Sequence, residues 1–246
     1  IVGEVRTPHN TQVSVTITDC ENKGAVYART KVGTNNVDAK KCGFIGGITG
    51  YAANMYEAGD GSKNTNLLRI VDCVSVSKYD DSDIATLLDE NLNGVYVGGI
   101  VGYNYYGQIE NCSTKNEDGD VSFVFGHSFV GGITGYNCGS ADGSFEGEKS
   151  INTANVIGVK YVGGITGCNA DLEEEQEEIE ALETIATPKR DVYYDAELLN
   201  WQNKGYVFAK DSYAGGISGV NTGWIYNCDS KIDGSKIPTE LMQRFS

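Results

Sequence analysis

The chain has few of the residues on which common enzyme active sites and nucleic-acid interfaces depend. It contains two histidines, His9 and His127, and neither lies in an H-E-x-x-H zinc peptidase motif. It has no G-x-S-x-G elbow, and glycine clusters such as GGITG lack the phosphate-binding spacings. With 19 Lys and Arg against 34 Asp and Glu, the net charge of −15 argues against binding nucleic acid or an anionic membrane surface. We therefore expect a non-enzymatic protein with no cofactor, no metal and no nucleic-acid partner.

Long apolar runs and paired cysteines are also missing. No run of about 18 apolar residues exists, so no direct membrane insertion is expected. No charged-then-apolar leader opens the chain at Ile1, and we expect a segment of a larger protein. None of the seven cysteines forms a C-x-x-C pair, which argues against structural zinc. Four share an I-x-[ND]-C context and are predicted to be small, reduced side chains at one repeat position: Cys20, Cys73, Cys112 and Cys228.

Glycine, by contrast, is abundant, because one nonapeptide occurs five times. The copies are FIGGITGYA at Phe44, YVGGIVGYN at Tyr96, FVGGITGYN at Phe129, YVGGITGCN at Tyr161 and YAGGISGVN at Tyr213. The second glycines of the copies are 52, 33, 32 and 52 residues apart. The unit is therefore about 32 residues long, with two insertions of about 20 residues.

Each unit contains three short β-rich segments and no helical period. In the fullest copy they are residues 96–103, 108–114 and 121–125, separated by Gly, Asn and Asp. Three strands in about 32 residues predict one coil of a parallel β-helix, whereas a propeller blade needs four strands and about 40 residues. A short propeller is the alternative. The predicted fold is all-β: a right-handed parallel β-helix of about five to six coils, forming a single domain over residues 1–246.

In a β-helix each repeat position forms a column along the axis. The sequence predicts an apolar ladder of Ile48, Ile100, Ile133, Ile165 and Ile217. Beside it we expect a mostly β-branched column of Thr49, Val101, Thr134, Thr166 and Ser218. An aromatic column would contain Phe44, Tyr96, Phe129, Tyr161 and Tyr213. An amide ladder would contain Asn104, Asn137, Asn169 and Asn221. If Val97 and Ile100 are both buried, their opposite parity requires a bend between them.

The two insertions lie near residues 52–92 and 170–205 and are predicted to carry helices. The first contains DIATLLDENL, with Asp81 or Ser82 before it and Gly94 after it. In the second, Asp171 can cap a helix that ends at Pro188, and a second short helix is predicted from Asp195 to Asn203. The run EEEQEEIE is interpreted as a solvated helix face rather than a cation site.

The stretches GGIVGYNYYGQIENCST from Gly98 and GGISGVNTGWIYNCDS from Gly215 resemble GLUG repeats, which read G-G-aliphatic-x-G-x-N and then G-x-I-x-N-C. The copies at Gly46, Gly131 and Gly163 match mainly the first half, and the resemblance covers about two thirds of the chain. GLUG repeats occur in bacterial surface and adhesin-like proteins and in non-catalytic parts of bacterial IgA-specific peptidases. The resemblance implies a β-solenoid, an extracellular or cell-surface setting and no catalytic residues.

Together these patterns favour a non-enzymatic module of a secreted or cell-surface bacterial protein, acting as an adhesive surface or a structural stalk. Its partner would be a host or cell-surface protein or a glycan. The alternative is a carbohydrate-binding or carbohydrate-cleaving β-helix, which would use paired carboxylates. Candidate acids are Glu110, Asp118, Asp120 and Asp72. Exposed aromatic side chains are the predicted partner-binding residues: Tyr105, Tyr106, Tyr193, Tyr194, Trp201 and Trp224.

Overall fold

In the computed structural model every regular element of the described residues is a β-strand. The structure describes residues 1–26, 43–56, 67–76, 95–116, 122–145, 148–170 and 196–232. No helix in these ranges is long and apolar enough to span a membrane. The strands are β1 (Val2–Arg6), β2 (Val15–Thr18), β3 (Glu21–Asn22), β4 (Phe44–Gly46), β5 (Thr49–Ala53), β6 (Leu68–Val71), β7 (Val74–Ser75), β8 (Tyr96–Gly98), β9 (Val101–Glu110), β10 (Ser113–Thr114), β11 (Phe123–Phe125), β12 (Ser128–Gly131), β13 (Thr134–Asp142), β14 (Ser144–Phe145), β15 (Glu148–Asn152), β16 (Asn155–Gly163), β17 (Thr166–Asn169), β18 (Glu197–Leu199), β19 (Trp201–Asn203), β20 (Val207–Gly215), β21 (Ser218–Asn221), β22 (Trp224–Tyr226) and β23 (Asp229–Ser230).

The strands form a parallel β-helix of six coils, as the repeat spacing predicted. Sheet A contains the order β1-β5-β9-β13-β17-β21, sheet B the order β3-β7-β10-β15-β19-β23, and sheet C the order β4-β8-β12-β16-β20, with β11 also on β16. Coils 2 to 6 each begin at a nonapeptide, and coil 1 contains β1 to β3. Sheet A also contains a second row of parallel strands, which pair in the order β2, β6, β9, β13, β18 and β22. The long strands β9 and β13 belong to both rows.

The isoleucine ladder forms the centre of the core. Ile48, Ile100, Ile133 and Ile165 are fully buried, and each backbone N–H donates to the isoleucine carbonyl of the following coil at 2.8–3.0 Å. The β-branched column lies beside it in register, with Thr49 on Val101 and Thr134 on Thr166. Val97 and Ile100 are buried in two different clusters, on either side of a bend at residues 99–100. The predicted bend is therefore confirmed.

The amide ladder is also confirmed. Nδ2 of Asn104 donates to Oδ1 of Asn137 at 2.8 Å, Asn137 donates to Asn169 at 2.9 Å, and Asn169 donates to Asn221 at 2.8 Å. The first three are fully buried and Asn221 is exposed. In coil 2 the position holds Ala52, and Oδ1 of Asn104 accepts no hydrogen bond from the described residues.

A second polar ladder runs through sheet B, and the sequence reasoning missed it. Thr114 donates to Asn152, Nδ2 of Asn152 donates to Oδ1 of Asn203 at 2.9 Å, and Asn203 donates to Oγ of Ser230 at 3.2 Å. Irregular sequence spacing obscured this column. A signal existed, because a polar residue follows two positions after each cysteine of the I-x-[ND]-C motif, as in Ser75, Thr114 and Ser230.

The residue before each of the four motif cysteines, and Asn200 before Trp201, makes the corner between sheets A and B. Asp19, Asp72, Asn111, Asn200 and Asn227 all have φ between 47° and 59°, the left-handed region that Asn and Asp tolerate. Neighbouring corner side chains also bond to one another: Asn111 donates to Asp72, and Asn227 donates to Asn200 at 2.7 Å. The [ND] of the motif is thus a backbone requirement.

The structure corrects one predicted helix. Residues 196–203, expected to be helical, contain the strands β18 and β19, which pair with β13 and β15 of the preceding coil. Leu198 and Trp201 of this segment are buried in the core. The other predicted helices, near residues 83–92 and 171–187, lie outside the described residues, as do Asp118, Asp120 and Cys42.

Candidate interaction surface

The aromatic column lies along sheet C and is confirmed. Consecutive rings stack with centroids 4.8–5.5 Å apart and nearly parallel planes, from Phe44 through Tyr96, Phe129 and Tyr161 to Tyr213. Tyr96 and Phe129 are buried, whereas Tyr213 at the last coil is 64% exposed. The column is therefore a packing feature that reaches solvent at the end of the solenoid.

Two of the predicted partner-binding tyrosines are buried rather than exposed. Tyr105 and Tyr106 lie in β9, where Tyr106 takes a left-handed φ of 51°, and both are at least 98% buried. Their rings meet edge to face at 4.6 Å within an aromatic cluster that also contains Tyr103 and Tyr136. The exposure predicted for them is wrong, because β9 is irregular between Tyr105 and Gln108 and both side chains pack in this aromatic cluster. Tyr193 and Tyr194 lie outside the described residues.

Trp201 was also expected at the surface and is fully buried. It occupies the column position that holds Cys112 and Ser150 in coils 3 and 4. Its Nε1–H donates to the carbonyl oxygen of Ala141 at 3.0 Å. Ala141 stands where Ile109 and Leu198 stand in the adjacent coils, and a Cβ on Gly143 would come within 2.9 Å of the indole. The small residues of coil 4 therefore make room for this ring.

Trp224 is the one predicted aromatic in the described part of the chain that the structure exposes. It begins β22 and is 64% exposed, and Tyr226 on the same strand is 69% exposed. Side chains alternate along a strand, and Ile225 shares the inward face of Leu198, with which it pairs. Trp224 and Tyr226 therefore both point outward, beside Glu197 and Leu199 of coil 5. The sequence reasoning had not named Tyr226.

The candidate acids in the described residues are engaged in structural contacts. Glu110 accepts two hydrogen bonds from the Arg69 guanidinium, at 2.9 and 2.7 Å, across adjacent coils. Asp72 accepts from Asn111 at the corner, and Asp142 accepts from Asn200 at 2.9 Å. Each of these three carboxylates therefore has a local partner.

Three thiols are stacked in consecutive coils at the inner side of the corner. Cys73 follows Cys20 and precedes Cys112 in the column, and all six cysteines of the described residues are free. From the insertions between the repeats, the sequence predicts that only Cys73 and Cys112 are near neighbours; this is wrong, because Cys20 is adjacent to Cys73 as well. Hydrogen bonds from the Cys112 and Cys20 thiols stabilise the Cys73 thiolate and lower the pKa of Cys73 to about 7. The Cys112 thiol keeps its proton in the hydrogen bond to Cys73, and this bond together with burial raises the pKa of Cys112.

We expect one thiolate of the folded chain to appear near pH 7 in an ultraviolet absorbance titration, and Cys73→Ser to remove this step. Because the folded pKa is lower than the unfolded value of 9.0, the thiolate adds stability above that value and loses it as the pH falls through about 7. Cys228→Ser is the control, since burial raises the pKa of Cys228 and its step lies higher. A titration of Cys73→Ser identical to that of the wild-type chain would contradict the assignment.

Comparison with known proteins identifies one motif in this architecture. Residues 93–121 match the family model described as the GLUG motif. The match covers β8 to β10, the part of coil 3 that carries the nonapeptide, the ladder residue Asn104 and the corner residue Asn111. No curated protein and no solved structure matches the chain. The chain is thus a β-helical repeat module that contains a GLUG motif.

Proposed function

We propose that this module is a non-enzymatic part of a secreted or cell-surface bacterial protein, and that its last coil presents an aromatic contact site for a protein or glycan. The solenoid is the rigid support of that site. The contact site consists of Trp224 and Tyr226 on the outer face of sheet A.

The observation that carries this proposal is where the exposed apolar side chains lie. Of the seven large hydrophobic side chains exposed in the described residues, five lie at or after the last nonapeptide: Tyr213, Trp224, Ile225, Tyr226 and Ile232. Tyr and Trp bury large areas at low entropy cost and are enriched at binding sites. Glu110, Asp72 and Asp142 accept hydrogen bonds from Arg69, Asn111 and Asn200 respectively. These structural contacts favour a scaffold role rather than a carbohydrate-cleaving role for these carboxylates.

The test is a binding screen of the whole chain on a glycan array and on immobilised extracellular-matrix proteins. The wild-type chain should bind a probe, and a Trp224→Ala, Tyr226→Ala double variant should lose at least about tenfold in affinity. Tyr213→Ala is the matched control, because it removes an equally exposed aromatic ring of the same coil on another sheet. It should leave binding unchanged.

Incubation of the wild-type chain with the bound glycan tests the enzymatic alternative. The proposal predicts an unchanged glycan after prolonged incubation. Release of shortened or unsaturated sugar products would show that the face cleaves carbohydrate. Equal affinity of the double variant and the wild-type chain would place the contact site elsewhere.

A further inference from the structure

The residue that follows each sheet B strand lies at the same position in every coil and is a lysine in four of the six coils. From coil 2 onward its backbone N–H donates to the carbonyl oxygen of the polar-ladder residue of the preceding coil, at 2.7–3.0 Å. In Lys204, for example, this N–H donates to Asn152 at 2.8 Å, and in Lys231 to Asn203 at 2.8 Å. From coil 1 to coil 6 the position holds Lys23, Val76, Lys115, Thr153, Lys204 and Lys231.

The lysine side chains of coils 3, 5 and 6 are exposed on the outer face of sheet B. Thr114 and Asn203, which precede two of them, are buried, and strand alternation turns the next side chain outward. In the part of the chain that the structure describes, no carboxylate forms an ion pair with these three lysines. Lys23 of coil 1 differs, because it pairs with Glu21 at 3.4 Å. The three exposed side chains are called the lysine row below: Lys115, Lys204 and Lys231.

The neighbouring positions on this face carry little negative charge. Two residues before the lysine position, the same face of sheet B holds Ser113, Ile151, Gln202 and Asp229 in coils 3 to 6. Asp229 is the one acid among these four, and it accepts hydrogen bonds from Nζ of Lys149 at 2.8 Å and from Gln202 at 2.7 Å. Its charge is therefore already paired with a lysine outside the row.

The charge of the chain as a whole makes this row unexpected. Acidic residues outnumber basic ones by 34 to 19, and the second row of strands in sheet A carries Glu110, Asp142 and Glu197 in coils 3 to 5. Neighbouring strands lie about 4.8 Å apart, so Lys204 and Lys231 are like charges placed directly opposite each other, which destabilises a sheet. An anion bound between them would replace this repulsion by attraction. The row is therefore explained better by a ligand than by folding.

The spacing of the row fits an extended anionic polymer. Thr153 separates Lys115 from Lys204, so the row extends over three coil spacings, or about 14 Å, parallel to the solenoid axis. A linear polymer with regularly spaced anions spans that length, whereas a small anion does not. A sulfate ester has three terminal oxygens and accepts from both ammonium groups of Lys204 and Lys231, while a carboxylate or a phosphodiester has two.

We propose that the lysine row binds a sulfated polysaccharide that lies along the outer face of sheet B. The net charge of −15 does not oppose this locally, because at about 0.1 M salt electrostatic interactions are confined to about 10 Å. The ligand responds to the charges of the face on which it lies. This site is on a different sheet from the Trp224 and Tyr226 contact site and does not depend on it.

The experiment measures binding of the 246-residue chain to immobilised dextran sulfate by surface plasmon resonance. Unsulfated dextran, with the same sugar backbone, is the reference. At about 0.1 M salt the wild-type chain should bind dextran sulfate and not dextran, and about 1 M salt should abolish binding because the Debye length falls to about 3 Å. A Lys115→Gln, Lys204→Gln, Lys231→Gln triple variant should lose at least about tenfold in affinity, since several modest ion pairs are removed together.

Two matched changes test whether position on the fold matters rather than net charge. A Lys204→Gln, Lys231→Gln double variant should bind more weakly than a Lys160→Gln, Lys210→Gln double variant, which changes the charge equally on sheet C and should bind like the wild-type chain. Asp229→Asn should strengthen binding about two- to fivefold, because it removes the carboxylate of the face and releases Lys149. Circular dichroism checks that each variant is folded.

Several outcomes would overturn the proposal. The absence of dextran sulfate binding by the wild-type chain would do so, as would equal losses in the sheet B and sheet C double variants. Equal affinity for polygalacturonate would assign the row to carboxylates, and equal affinity for single-stranded DNA would assign it to nucleic acid. The Trp224→Ala, Tyr226→Ala variant should keep its dextran sulfate affinity, and its loss would show that the aromatic contact site holds the sulfated chain instead.

Discussion

Replacing Trp201 by alanine should lower the free energy of unfolding by about 3–5 kcal/mol, the range for emptying a buried large aromatic site. The indole fills a space that spans two coils, and Ala141, Gly143 and Ser150 are too small to close over it. The change also leaves the carbonyl oxygen of Ala141 without the indole N–H. Urea denaturation followed by circular dichroism measures the loss.

Trp224→Ala is the matched control for this prediction. It removes the same side chain three strands later along the chain, in β22, from a site that is 64% exposed. Surface substitutions of this kind change stability by no more than about 0.5 kcal/mol. Equal losses for the two tryptophans would contradict the burial of Trp201.

Replacing Asn137 by alanine should cost about 1–3 kcal/mol, and Asn221→Ala should cost clearly less. Asn137 accepts from Asn104 and donates to Asn169, and it also donates to the backbone carbonyls of Gly139 and Glu197. Its removal leaves buried amide and carbonyl groups unpaired in a dry environment, which is costly. Asn221 has one ladder neighbour, Asn169, and because Asn221 is exposed, water can take the place of its amide after the substitution.

The two asparagine variants are compared in the same urea series. If each amide of the ladder depends on its neighbours, the free energy of unfolding should fall more for Asn137→Ala, in the middle of the ladder, than for Asn221→Ala at its end. Equal losses, or an unchanged stability of Asn137→Ala, would show that the amides are not coupled along the axis. Asn104→Ala should fall between them, because Asn104 donates into the ladder but accepts nothing from Ala52.

The columns could be predicted from the sequence because the five copies of the nonapeptide align with one another without gaps. Five copies fix which isoleucines, aromatics and asparagines share a register, and the structure places all four columns as expected. The function of the [ND] before each cysteine was missed because a left-handed corner is a backbone property. Asn and Asp were interpreted there as context for the cysteine, although tolerance of positive φ is their common feature.

Exposure was harder to predict than register. Tyr105 and Tyr106 follow the first β-rich segment of their unit, residues 96–103, and Trp201 stands in the segment from Asp195 to Asn203 that was predicted to be helical. Their burial depends on neighbours from other coils, such as Ala141 and Tyr136, which are about 60 and 30 residues away in the chain. Local periodicity contains no information about such partners, which accounts for the error at these three residues.

The register of the ladders also determines which repeat units can be duplicated or lost during evolution without disturbing the contacts between coils. Most coil joints use the same contacts, so a duplication or loss of one whole unit of about 32 residues would leave each joint chemically unchanged. The joint between coils 4 and 5 is different. Trp201 of coil 5 needs Ala141 and Gly143 of coil 4, so recombination between these two coils would separate a large ring from the space made for it. Coils 4 and 5 are therefore a single heritable unit within an otherwise interchangeable series.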